Sequence, residues 1–90
     1  MLKPIRTSKF KKDFSRAEKR LKNIEKLIET MGMIISEKPL PLERKNHPLQ
    51  GKYKGKWECH IEPNWLLIYE INQKVKEVIF HRTGSHSDLF

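Results

Sequence analysis

The sequence predicts an α+β fold: two N-terminal helices packed on one face of a small antiparallel sheet, in the order β-α-α-β-β-β. Apolar residues recur at helical spacing between Phe10 and Ile35, and three strand-like segments joined by hairpin-length turns run from Lys56 to Thr83. One short extended segment precedes the helices. Ninety residues leave room for one hydrophobic core, so residues 1–90 are read as a single domain.

Leu2 to Thr7 forms the first strand, and Pro4, which lacks an N–H, confines it to a sheet edge or to the strand start. Ser8 suits an N-cap, after which Phe10, Phe14, Ala17 and Leu21 fall on one face of a helix. Lys9, Lys11, Lys12, Arg16, Lys19 and Arg20 lie between them and give that helix a basic outer face. Ile24, Leu27, Ile28, Met31 and Ile35 mark a second amphipathic helix, and Pro39 and Pro41 end the helical region. A long, basic, turn-rich connection then runs to Gly55, of a length that is either functional or disordered in so small a domain. Lys56–Glu62 alternates, with Trp57, Cys59 and Ile61 on one side and Glu58, His60 and Glu62 on the other. Trp65–Ile71 is almost continuously apolar, as a central strand is, and Val75–Thr83 follows the Asn72-Gln73 turn.

Composition narrows the function. The chain is 37% hydrophobic and 33% charged, enough to fold but with an ionic surface and a modest core, which suits a protein that works in a complex. Its net charge of +8 is lopsided: residues 1–56 hold 16 Lys/Arg against 6 Asp/Glu, and residues 57–90 hold 3 against 5. A basic half fits a polyanionic partner, because neutralising phosphates releases counterions, and it is also what a solvated lysine-rich helix looks like. Cys59 is the single cysteine, which excludes an intrachain disulfide and a thiolate metal cluster, and it reads as a small buried residue. No apolar run approaches the roughly 20 residues of a membrane span and no signal peptide opens the chain, so no membrane partner is expected and the expected location is cytoplasmic.

Four histidines occur, at 47, 60, 81 and 86. RNA is cleaved by its own 2′-hydroxyl when one group removes that proton and another protonates the leaving 5′-oxygen. Imidazole suits both tasks because an unperturbed ring titrates near pH 6.5, roughly neutral. A cation beside the phosphate must stabilise the added negative charge, and Arg82, Lys52 and Lys54 are available. His81 matches no pattern. A zinc site built from His47, His60 and His86 lacks any H-E-x-x-H-like spacing, and the sequence is read without metal or cofactor. The run Gly51-Lys52-Tyr53-Lys54-Gly55-Lys56-Trp57 interleaves glycine, cations and aromatics. It could cradle a single strand or simply approach a hairpin, and spacing leaves that open.

Three separated motifs carry a resemblance: His47-Pro48-Leu49-Gln50-Gly51; Cys59-His60-Ile61-Glu62-Pro63-Asn64-Trp65-Leu66-Leu67-Ile68-Tyr69; and Arg82-Thr83-Gly84-Ser85-His86-Ser87-Asp88-Leu89-Phe90. In order and spacing they resemble the YafQ branch of the RelE/ParE toxin superfamily over the whole chain. The resemblance implies a microbial-ribonuclease-like fold and a type II toxin–antitoxin system. It further implies an mRNA interferase acting in the 30S A site of the ribosome, neutralised by a cognate antitoxin that would also do any reading of operator DNA. It assigns His47, His60 and His86 as catalytic histidines, with His86 as the acid for the leaving oxygen, and Arg82 as the cation at the scissile phosphate. Trp65 and Phe90 fall on aromatic positions needed for activity, which implies contact with bases or closure of the site. Asn64 departs from the family pattern, which has aspartate there; an amide can orient an imidazole but cannot take up a proton. Two other readings share the fold: a non-enzymatic toxin that binds a protein such as gyrase, and an RNA-binding member with weakened catalysis.

Overall fold

The computed structural model describes all residues, Met1–Phe90. Strand β1 (Lys3–Arg6) leads into helices α1 (Ser8–Lys19) and α2 (Ile24–Ile35). Strands β2 (His47–Pro48), β3 (Trp57–Glu62), β4 (Trp65–Asn72) and β5 (Glu77–Gly84) follow, and a terminal turn of helix, α3 (His86–Leu89), ends the chain. Two short 3₁₀ turns, Leu42–Arg44 and Gly51–Tyr53, flank β2.

The α+β class and the principal β-α-α-β-β-β order are those expected, with β2 and α3 as additional short elements. The sheet order is β1-β5-β4-β3-β2, and β1 takes the edge that Pro4 requires. The sheet is mixed rather than wholly antiparallel, because β1 pairs in parallel with β5 while the other neighbours are antiparallel. The physical reason lies in the connection: two helices separate β1 from the hairpins, so its partner is not set by a tight turn.

Both long helices end in the same way, and two residues assigned to their apolar faces, Leu21 and Ile28, lie in water. The cap of α1 is Thr7, whose hydroxyl accepts from the Phe10 N–H, and Ser8 is already helical. At its C-terminus Lys22 N–H reaches Ala17 O and Leu21 N–H reaches Glu18 O, with Leu21 left-handed at φ 57°. That is a Schellman ending, and it turns Leu21 out to solvent, 91% exposed, rather than into the core. In α2 the Asn23 side chain caps Lys26, Glu37 closes the C-terminus at φ 59°, and Ile28 faces solvent while Leu27 and Ile34 are buried.

The core lies between the helices and one sheet face, where Phe10, Ala17, Leu27 and Ile34 meet Cys59, Ile61, Leu67, Tyr69, Val78 and Phe80. The opposite face carries a smaller cluster of Leu66, Ile68 and Leu89, covered by Leu49 and Tyr53 from the long connection. That connection is therefore ordered: it folds back over the second face, with Leu49 N–H donating to Lys56 O. No helix is long and apolar enough to cross a membrane.

Candidate active site

The strand register lays the chemistry on the second face. Glu58, Ile68 and Arg82 are direct neighbours across β3, β4 and β5, and His60, Leu66 and Gly84 form the next row. His47 stands opposite Glu58 on β2, and His86 follows the Gly84-Ser85 end of β5. Residues far apart in sequence thus meet over a floor of Leu66 and Ile68.

His60 is the centre of the group. Its ring centroid lies 6.5 Å from that of His47 and 6.1 Å from that of His86. Beneath them is Glu58, a carboxylate only 4% exposed, whose Oε1 lies 3.4 Å from His47 Nε2 and 3.5 Å from His60 Nε2. Sequence reasoning did not single out Glu58. The available signal was its placement two residues from His60 on the same side of β3, within reach of the same partners. Asn46, the residue before His47, accepts a hydrogen bond from the Tyr69 hydroxyl and so ties β2 to the central strand.

His86 is fixed by Asn64. Asn64 Oδ1 accepts from the His86 backbone N–H at 3.3 Å and lies 3.2 Å from its Nδ1. A backbone N–H can only donate, so the oxygen must face His86, and Nδ1 must then carry the proton of the second contact. This arrangement leaves Nε2 as the nitrogen free to face a substrate. The backbone around His86 is held by a capping box in which Ser85 and Asp88 bond each other's backbone N–H, and Asp88 also pairs with Arg20 at 2.9 Å. The Ser85 N–H, with help from Arg20, holds the Asp88 carboxyl down at about 2.

Phe90 is 58% exposed, 6.3 Å from the His86 ring and edge-on to Tyr53 at 5.4 Å. Tyr53, one of the aromatics of the Gly51–Trp57 run, donates to Leu89 O at 3.4 Å and ties the basic connection to α3. Lys52 and Lys54 are exposed on that connection without carboxylate partners, and Lys52 Nζ lies 5.2 Å from the Tyr53 ring. Arg82 is clamped by buried Asp13, with Nε and Nη2 donating at 2.7 and 3.1 Å. These bonds push its pKa further up. Asp13 also takes the Thr83 N–H, at 3.1 Å, beyond Phe80 where β1 stops covering β5. Nη1 of Arg82 is left without a carboxylate.

One expected substrate contact does not survive. Trp65 is 1% exposed, and its indole N–H donates to Thr83 Oγ1 at 2.9 Å inside the core, so it offers no face to a base. Its place next to Asn64 makes it a support for the turn that orients His86. His81 pairs with Glu70 at 2.9 Å, outside the group. Cys59 is fully buried, which pushes its thiol up to about 12 and removes it as a nucleophile. The atoms best arranged to hold a metal belong to His47, Glu58 and His60, all within 4.8 Å of one another, and His86 is not among them.

Comparison with known proteins identifies the family and the fold. The model of a bacterial type II toxin–antitoxin toxin family, YafQ, matches residues 2–90. The mRNA interferase toxin YafQ of Escherichia coli strain K12 is 42% identical over 85 residues, spanning 93% of this chain and 90% of that one. The structure of the E. coli DinJ–YafQ complex superposes with a TM-score of 0.92 at 40% identity, covering 100% of this chain and 99% of that one. A metal-bound toxin from Helicobacter pylori gives 0.94 at 37% identity, with both chains covered in full. The chain belongs to the YafQ family of bacterial type II toxin–antitoxin toxins.

Proposed function

We propose that this protein is an endoribonuclease that cuts messenger RNA in the ribosomal A site by acid–base catalysis and is neutralised by a cognate antitoxin. The observation that carries the reading is the line of His47, His60 and His86, with a buried carboxylate under the first two and an amide behind the third. The 6.1 Å between the His60 and His86 rings leaves room for a phosphodiester between a base and an acid.

In this mechanism His60, with Nε2–H directed at Glu58, presents Nδ1 to remove the proton of the 2′-hydroxyl. The 2′-oxygen bonds to phosphorus as the bond to the 5′-oxygen breaks, and His86 Nε2–H supplies the proton to that leaving oxygen. Nη1 of Arg82 and the His47 ring face the charge that develops on the phosphate, and the exposed ring of Phe90 is placed to stack on a base. Lys52 and Lys54 meet the flanking backbone. Asn64 contributes by orienting His86, and Trp65 by holding Asn64. A metal ion seated between Glu58 Oε1 and the Nε2 atoms of His47 and His60 would displace the Nε2 proton that orients His60 and would make its Nδ1 a poorer base, so it would act as an inhibitor.

The antitoxin partner follows from family membership and from the basic N-terminal half, which suits an acidic segment that folds on binding. The E. coli relative has been seen with its antitoxin DinJ. A ribosomal target makes the site of action cytoplasmic. A non-enzymatic toxin aimed at a protein has no use for three histidines converging beside an arginine.

Primer extension on mRNA in a reconstituted translation reaction tests the reading. Cuts are expected only when ribosomes are present, and His86→Ala should lose on the order of 100-fold or more in rate. Equal cutting by His86→Ala, or none by the native protein, would overturn it.

A further inference from the structure

Beyond the scissile phosphate, a second anion site is built into the side of the molecule. Arg44 is 8% exposed, yet its guanidinium makes one hydrogen bond, from Nε to the Thr30 hydroxyl at 3.3 Å. Thr30 is itself fully buried and spends its proton on Lys26 O. The nearest carboxylate, the exposed Glu43, stands 3.9 Å from Nη1, beyond hydrogen-bond distance. The guanidinium keeps only a narrow contact with solvent, through the donors that no protein group occupies, and such a cation favours an anionic partner.

Arg44 lines a cleft of about 380 Å³. Lys26 from α2 and Lys45 from the turn before β2 line it as well, and both lack carboxylate partners. Glu43 and Glu62 are its only acidic neighbours. His60 stands on its wall, so the cleft joins the catalytic group directly. Lys45 is left-handed, at φ 47°, which turns the chain from the 3₁₀ segment into β2 and sets the cationic turn beside His47.

We propose that Arg44, with Lys26 and Lys45, binds a non-bridging oxygen of the phosphodiester one linkage 5′ to the cut. The direction follows from the proposed roles, on which this inference rests. His86 serves the leaving 5′-oxygen and so faces the downstream nucleotide. His60 serves the 2′-hydroxyl and faces the upstream one, and the cleft opens on the His60 side. Phosphate is the fitting anion because the cleft continues from a site that handles phosphate. A carboxylate of the antitoxin is the alternative that the experiment distinguishes.

The test uses programmed ribosomes carrying mRNA with a single neutral methylphosphonate at each linkage around the cut, read by single-turnover cleavage over a range of toxin concentrations. For the native protein, the methylphosphonate one linkage upstream should raise the half-saturating concentration about ten-fold. Arg44→Met should raise it by a similar factor on ordinary mRNA, leave the maximal rate within about two-fold, and add little to the upstream methylphosphonate. Its melting temperature should hold or rise, since an apolar side chain replaces a buried cation. If Arg44→Met folds poorly, the exposed variant Lys45→Ala should show a smaller effect at the same linkage. An unchanged half-saturating concentration, or losses that add in full at every linkage, would overturn the proposal. So would an Arg44→Met defect confined to antitoxin affinity. Native protein that cuts nothing refutes the ribonuclease reading, and the proposal falls with it; cutting without coupling to Arg44 refutes the proposal alone.

Discussion

At the scale of single residues, Glu58 and Asn64 do the positioning. Glu58 sits under two imidazoles from different strands, and its burial leaves it few partners besides them. Glu58→Gln keeps the shape but offers an amide where two rings share one carboxylate oxygen. We expect single-turnover cleavage to fall on the order of 100-fold, the cost of a small misplacement of reacting groups. A rate that does not move would show the histidines act independently of Glu58. Asn64 holds His86 through a neutral oxygen. A carboxylate in its place would accept the same two hydrogen bonds and favour the protonated, proton-donating ring, so Asn64→Asp should cleave faster than the native protein. A fall or no change in that rate would contradict the account of Asn64. Trp65 gives the opposite lesson: the resemblance implied contact with bases or closure of the site, while its burial and its hydrogen bond to Thr83 make it part of the core.

At the scale of elements, α3 is the part whose order rests most visibly on a few polar contacts. It has four residues, and its capping box and the Arg20–Asp88 pair fix the backbone that carries His86. The Asp88 carboxyl lies at about 2 instead of 3.8. A depressed carboxyl adds stability above its unfolded value, and that stability is lost as pH falls through the folded value. The Ser85 amide resonance, followed by NMR during acidification, should therefore keep its bonded position through pH 3 and shift with a midpoint near 2. A midpoint near 3.8 would mean the cap does not hold in solution. The helices and hairpins were legible because their apolar residues keep periods of 3.6 and 2. Their ends were less so: Leu21 and Ile28 fit the helical period, yet a Schellman ending and the narrowness of the buried stripe leave both in water.

At the scale of the whole molecule, the sheet separates the two tasks of the chain. One face builds the core under α1 and α2, and the other gathers histidines from β2, β3 and the end of β5. The sequence motifs disclosed which histidines belong together. They could not disclose Glu58 or Asp13, or the tie that Tyr53 makes to α3, because these roles come from register and from how the long connection and α1 fold against the sheet. Nor could periodicity foresee that β1 runs parallel to β5, since that pairing closes over the full length of the domain.

The central claim is that RNA is cut by its own 2′-hydroxyl, with histidines moving the protons. End-group analysis of the cleaved mRNA, run with and without EDTA, tests it most directly. The account predicts a 2′,3′-cyclic phosphate, or the 3′-phosphate it hydrolyses to, on the upstream fragment and a 5′-hydroxyl on the downstream one, at a toxin rate unchanged by the chelator once ribosomes are held intact. A 3′-hydroxyl with a 5′-phosphate would contradict it, because those ends require attack by water rather than by the RNA itself.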